Sequence, residues 1–363
     1  MKILYIVPKI NDEGGVARVL SVKANYLAEK LGYDVHILTQ NRGNLSLFYF
    51  FNTKIKLHDI PLIGNRLYFF FQYVKGLKTA VKFINPDIIV VCDNGLKAYT
   101  IPLILKTKRP IVFECHGSKF IEDKKGSNLF FFTKLKLFFK EYTARKFTKF
   151  IALSPESLKE WKVENGIILP NPLWFSTNDF SDLKSKKILV IARHSYEKGL
   201  DRILKIWEKV VENYPDWRLE IYGKSDKNQE FKRMSNALGV DKKVVFFEPV
   251  HNITEKYLEA SIVAMTSRTE GFPMVLLEAM AMGLPCIAYD CPVGPSSVIT
   301  NNVDGYLIEN GNEEQFVKKL SALMGNKDLR KKLGQNGKES VLRFDIDTIM
   351  NQWKTLFEDL VKK

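Results

Sequence analysis

Residues 186–211, KKILVIARHSYEKGLDRILKIWEKVV, run from a short aliphatic stretch through a turn holding two cations into a helical pattern. A strand that feeds directly into a helix is the repeating unit of a parallel sheet covered by helices. Downstream the alternation continues through RLEIYGK, VVFFEP, SIVAMTS, LPCIAYD and GYLIE. Upstream, a second set opens with KILYIVPKI, crosses by VARVLSVKANYLAEKLG, and continues through DVHILTQ, PDIIVVCD, IVFECHG and KFIALS. Between the sets, residues 170–186 are rich in Pro, Asn and Ser and read as a linker. The expected fold is therefore α/β: two Rossmann-like, doubly wound domains, 1–175 and 176–345, facing a central cleft. Ligands of such sheets bind outside the carboxyl ends of the strands, so that cleft is the expected active site.

Composition narrows the classes. A chain of 363 residues with 45% hydrophobic content is long enough for two domains with real cores. Its start reads as a buried first strand and not as a signal peptide. Apolar runs such as LFYFF and LYFFF are soon broken by Lys or Arg, short of the roughly 20 residues of a membrane span. Cys92, Cys115, Cys286 and Cys291 are too few for a disulfide scaffold and read as reduced cytoplasmic thiols. Net charge is +14, and residues 1–175 alone hold 27 Lys and Arg against 14 Asp and Glu. This bias points to a polyanionic partner in the N-terminal domain, with nucleic acid, anionic lipid and a phosphorylated substrate all open at this stage.

Three loops can carry chemistry. Gly14 and Gly15 separate the first strand from its helix, where free N–H groups can meet a phosphate. The spacing is neither G-x-G-x-x-G nor a P-loop, which argues against nicotinamide and kinase readings. Arg193 and Lys198 flank a turn ahead of a helix and can hold the charges of a diphosphate; a solvated basic turn is the bland alternative. The sharpest segment is 267–285, SRTEGFPMVLLEAMAMGLP. Glu270 lies in a Gly-Pro loop and Glu278 in the following helix, while the amides of residues 272–275 are offered to a phosphate. Two separated carboxylates and such a loop suit a sugar nucleotide.

This segment is similar to the E-x7-E signature of family 4 glycosyltransferases, retaining enzymes of the GT-B fold. Gly14-Gly15, His116-Gly117, Asn171-Pro172 and Arg193 with Lys198-Gly199 extend the resemblance over nearly the whole chain. Asp290-Cys291-Pro292, Gly294-Pro295, Asn302 and Gly305 resemble the bacterial branch that builds capsular, exopolysaccharide and lipopolysaccharide chains. The resemblance implies a hexosyl transfer from a nucleotide diphosphate sugar, UDP-linked by the branch. Arg193 and Lys198 would neutralise the diphosphate, Glu270 would touch donor hydroxyls and Glu278 the ribose. Gly271, Phe272, Pro273, Met274 and Val275 would cradle sugar or phosphate oxygens. Gly15 would join the donor site, and Tyr222, Gly223, His251 and Asn252 would border the base. Tyr222-Gly223-Lys224 departs from the family's commoner G-x-G. His116 would sit near the reacting sugar, and a same-face route would let the leaving phosphate take the acceptor proton. The resemblance also implies that residues 346–363 return as a helix to the first domain. No resident metal or cofactor is expected, since the GT-B class that the chain resembles needs no bound metal and the sequence shows no His/Cys cluster with ligand spacing.

In residues 128–150, Phe131, Leu135, Phe138 and Tyr142 form one helical stripe among Lys134, Lys136, Lys140, Arg145, Lys146 and Lys149. Residues 66–83 combine LYFFF with Lys75, Lys78 and Lys82. Basic and aromatic helices favour an anionic membrane surface. The expected acceptor is accordingly a polyprenyl-pyrophosphate-linked glycan or a polysaccharide, met by a peripheral protein on the inner face of the membrane. Core-facing Phe with a solvated basic face is the competing account. Rival functions are a GT-B sugar-nucleotide epimerase or hydrolase, which needs no acceptor, and a nucleic-acid-binding protein. No RNP, helix-turn-helix or zinc-finger pattern supports the latter.

Overall fold

Buried parallel strands need near-continuous apolar sequence, because helices cover both faces of the sheet. The computed structural model describes residues 1–43, 45–120 and 130–362, with the side chains of residues 66, 67 and 130–132 outside that description. Within it the chain divides into two compact units, Met1–Trp174 with Ile346–Lys363, and Phe175–Asp345.

The first unit carries β1 (Lys2–Ile6), β2 (Asp34–Gln40), β3 (Lys56–Ile60), β4 (Ile88–Val91), β5 (Ile111–Cys115), β6 (Lys149–Ala152) and β7 (Gly166–Ile168). They form one parallel sheet in the order β3-β2-β1-β4-β5-β6-β7. Strand alternation sends Ile3, Tyr5 and Val7 to one face, where Leu20, Ala24 and Leu27 of the Gly15–Glu29 helix meet Met350, Trp353 and Phe357 of the Ile346–Val361 helix. Leu4 and Ile6 point to the other face, covered by Tyr73 and Leu77 of the Arg66–Ile84 helix and by Ala144 of the Phe130–Ala144 helix. Two strands go beyond the sequence reading. β3, KLHDI, is a polar edge strand, and β7 is three residues just ahead of the Pro- and Asn-rich stretch.

The second unit carries β8 (Lys187–Ile191), β9 (Arg218–Tyr222), β10 (Val244–Phe247), β11 (Ile262–Met265), β12 (Cys286–Asp290) and β13 (Gly305–Glu309). Their parallel order is β10-β9-β8-β11-β12-β13. In both sheets the strand order reverses after the first strand, at β1/β4 and at β8/β11. That reversal opens a crevice at the carboxyl ends, where a doubly wound sheet takes its ligand.

The Phe130–Ala144 helix corrects one expectation. Lys140 shares its stripe with Ala144, is buried, and sets its ammonium 5.3 Å from the Tyr99 ring centroid. It faces the core and not a membrane. Leu135, Phe138 and Tyr142 are exposed, as are Lys134 and Lys146, and Lys136 is half-buried. The Phe131 side chain lies outside the described residues.

Candidate active site

The loops that leave β8 and β11 flank the reversal in the second sheet, and they bring Lys198 and Glu270 together. Lys198 ends a 3-10 turn, Tyr196–Lys198, and its Nζ donates to both Glu270 oxygens at 2.8 and 2.9 Å. Glu270 is 8% exposed and Lys198 partly so, which leaves the ammonium able to meet a further anion.

Backbone and side-chain ties hold the two loops in register. The Thr266 hydroxyl donates to the Gly199 carbonyl at 2.8 Å, and the Arg268 amide donates to the Glu197 carbonyl at 2.8 Å. The Arg268 guanidinium makes a forked pair with Asp201 at 2.7 and 2.6 Å and stacks 3.9 Å from the Tyr196 ring centroid. Burial opposes ionisation of Asp201, but the Arg268 hydrogen bonds and charge hold its carboxyl below the usual range. A planar, forked pair of this kind fixes orientation as well as contact. Sequence reasoning missed it, because 67 residues separate the partners.

Gly199 occupies φ +64°, and a Cβ there would stand 2.1 Å from the Thr266 carbonyl oxygen. Gly199→Ala is therefore expected to cost more than about 1 kcal/mol, since both the left-handed backbone and the close approach oppose it. Thermal unfolding without ligand checks this, and an unchanged Tm would contradict the close approach. Gly294 was noted in the sequence only within a branch signature. Here a Cβ on it would come within 2.9 Å of Pro273 Cδ and 3.2 Å of Glu270 Cβ. It thus packs directly beneath the Glu270 loop.

The remaining expected donor residues divide. Arg193 is exposed and 3.5 Å from Glu197 Oε1, close in sequence to Lys198 but unengaged with Glu270. Pro273 has no N–H and the Met274 amide donates to the Phe272 carbonyl at 3.0 Å, so the cradle expected from residues 272–275 reduces to the Phe272 and Val275 amides. Gly271 lies in the same loop, and the Phe272 ring packs edge-on against Phe344. Glu278, on the Met274–Ala281 helix, is buried and accepts from the Tyr257 hydroxyl at 2.7 Å. Tyr222 ends β9 buried, its ring stacked on Phe247 at 4.5 Å, while the Gly223 amide donates to the Phe247 carbonyl. His251 and Asn252 are exposed ahead of the Ile253–Leu258 helix.

In the first unit Gly15 opens the Gly15–Glu29 helix, and the Gly14 amide donates to Asp12 Oδ1 at 3.2 Å. His116 follows β5, with its side chain nearly buried and Nε2 3.3 Å from Glu114 Oε1. Cys92, Glu114 and His116 place ligand-type atoms within 4.8 Å of one another. Lys23 already pairs with that carboxylate, and burial first, then Glu114, pushes the Cys92 thiol well above its usual range. The trio accordingly fits a hydrogen-bonded network better than a cation site, for which a thiol must ionise. Among the described residues no helix is long and apolar enough to cross a membrane.

Comparison with known proteins follows this geometry domain by domain. The model "Glycosyltransferase Family 4" matches residues 13–170, and "Glycosyl transferases group 1" matches residues 176–340. The amylovoran biosynthesis glycosyltransferase AmsD of Erwinia amylovora is 28% identical, over 98% of this chain and 99% of its own. An alpha-1,4-N-acetyl-D-galactosaminyltransferase of Campylobacter jejuni, named for a diNAcBac-PP-undecaprenol acceptor, is 25% identical over 99% of both chains. The solved structure of Anabaena Alr3699/HepE with UDP-glucose superposes with a TM-score of 0.79 at 18% identity, covering 99% of this chain and 100% of that one. That likeness establishes the GT-B fold.

Proposed function

Since the chain belongs to the glycosyltransferases that join a family 4 domain to a group 1 domain, we propose that it transfers a sugar, with retention, from a UDP-sugar to a lipid-linked or polysaccharide acceptor in bacterial cell-surface glycan synthesis. The observation that carries this reading is the Lys198 ammonium seated on the Glu270 carboxylate at the β8/β11 reversal. A diphosphate arriving there meets Lys198 and the exposed Arg193, while Glu270 and Glu278 accept from sugar and ribose hydroxyls.

The chemistry follows from charge. As the bond from the anomeric carbon to the diphosphate breaks, negative charge grows on the leaving oxygens, and fixed cations favour that state over the ground state. The departing phosphate takes the proton of the attacking acceptor hydroxyl on the same face, so the new bond keeps the old stereochemistry. His116 touches the reacting sugar. Glu270 is a hydroxyl acceptor and not the base.

The acceptor reading draws on the first unit. Exposed Phe71, Lys75, Lys78 and Lys82 share one stripe of the Arg66–Ile84 helix, and Leu135, Phe138 and Tyr142 of the Phe130–Ala144 helix, which covers the same sheet face, are exposed with Lys146 just past its end. Such a surface suits the inner leaflet, where a PP-undecaprenol acceptor like that in the Campylobacter relative's name would lie.

The test is thermal shift and turnover against UDP-, GDP- and ADP-sugars, with and without a polyprenyl-diphosphate saccharide and with EDTA. Saturation at 100 times Kd stabilises by about 2.7 kcal/mol, so one nucleotide is expected to raise Tm by several degrees. Acceptor-dependent release of that nucleotide, undiminished by EDTA, is the expected result. Release without acceptor would favour the hydrolase reading, and silence across the panel would overturn the donor assignment.

A further inference from the structure

A central parallel strand is the costliest place for a charge, yet β5 reads IVFEC and its Glu114 is fully buried. Strand alternation puts Val112, Glu114 and His116 on one side of the sheet, toward the Gly15–Glu29 helix. Three groups converge on the carboxylate there. Lys23 of that helix, itself buried, pairs with Oε1, and the Cys92 thiol donates to Oε2 at 3.2 Å. His116 Nε2 lies 3.3 Å from Oε1. The Lys23 ammonium also rests 4.4 Å from the Trp353 ring centroid, so it is enclosed by aromatic and carboxylate.

Charge balance explains why the carboxylate stays ionised. Burial alone would raise its pKa, but the Lys23 charge, with hydrogen bonds from Lys23 and from the His116 ring, outweighs burial and holds Glu114 well below the usual carboxylate range. An ionised carboxylate is an acceptor only, so the ring nitrogen facing it must carry a proton. This leaves Nδ1 as the nitrogen that can accept, and among the described residues it has no hydrogen-bond partner. His116 lies just past the carboxyl end of β5, the end at which such a sheet takes ligands.

We propose that Glu114 is a positioning residue: with Lys23 as its counter-charge, it holds the His116 ring in the Nε2–H tautomer so that Nδ1 accepts from a hydroxyl of the reacting sugar. This rests on the reading of His116 as a residue that touches that sugar. Lys23 and Glu114 act here as a unit far from solvent. The ring they orient is the group that meets substrate.

The experiment removes both charges at once, because Glu114→Gln alone strands the Lys23 ammonium in the core. Replacing a buried pair by apolar residues of similar volume often leaves stability unchanged, so Lys23→Met with Glu114→Met is the informative variant, and its Tm is read first. Long-range proton–nitrogen NMR, with the His116 signal assigned through His116→Ala, reads the tautomer; steady-state kinetics reads kcat and donor KM. We expect an Nε2–H signal in the native protein that is lost or averaged in the double variant. With it, kcat should fall about 10- to 100-fold, the range for a lost orienting partner, while donor KM stays within about twofold. A native Nδ1–H tautomer would overturn the proposal, as would an unchanged kcat in a folded double variant whose parent depends on His116. Undiminished turnover in His116→Ala would instead overturn the part given to His116 in transfer, and the positioning role with it. Should the double variant fail to fold, the native tautomer alone decides.

Discussion

Lys198→Ala is expected to lower kcat/KM for transfer by about 10²- to 10³-fold, the range seen when one preorganised group that stabilises developing charge is removed. Lys198 is the partner of Glu270, so under the proposed donor assignment its loss touches donor hydroxyl recognition as well as the leaving diphosphate. The two effects separate kinetically. Loss of transition-state charge stabilisation lowers kcat, whereas loss of ground-state donor contacts raises KM. Glu270→Ala is expected to act mainly on the second, with a slower enzyme still able to bind the nucleotide diphosphate. Stability is the control, because either change leaves a mostly buried partner uncompensated and costs folding free energy. Lys198→Ala with Glu270→Ala removes that penalty, so a folded but inactive double variant assigns the loss to chemistry. Native kcat/KM in either single variant would overturn the site.

The alternation of aliphatic runs and helical patterns revealed both sheets, because a parallel strand buried on two faces must be apolar along its length. β3 escaped that reading for the same reason: His58 and Asp59 interrupt an edge strand exposed to solvent on one side. β7 escaped because three residues beside prolines carry no periodicity. Site residues were legible where one contiguous segment held them, as with Glu270 and Glu278, or Arg193 and Lys198. Lys23, Cys92 and Glu114 belong to three segments that only the fold assembles around His116. Reading ligand spacing along the chain therefore could not find that cluster. The Lys140 error has a different origin. Counting every lysine of an amphipathic helix as surface ignores the i, i+4 relation that ties Lys140 to the buried Ala144.

That correction sharpens the membrane prediction. Lys75, Lys78 and Lys82 stand exposed on the Arg66–Ile84 helix beside Phe71, 68% exposed, and Phe83, 80% exposed. Each cation near an anionic surface contributes about 1 kcal/mol, so neutralising the three is expected to weaken partitioning onto anionic vesicles by about 100-fold, and reversing them to Glu by more. The effect should fade as salt rises, since screening shortens the reach of surface charge to about 10 Å at 0.1 M. The aromatics contribute independently of salt. Phe71→Ser with Phe83→Ser should weaken binding at all ionic strengths, because burial of their rings in the interface is an area effect. Lys140→Glu serves as the contrast: it puts a carboxylate against the Tyr99 ring face and is expected to lower Tm. Vesicle binding that survives the triple reversal would remove this helix from the membrane surface. Binding lost equally in Lys140→Glu with Tm unchanged would mean that the lysine leaves the core to meet lipid.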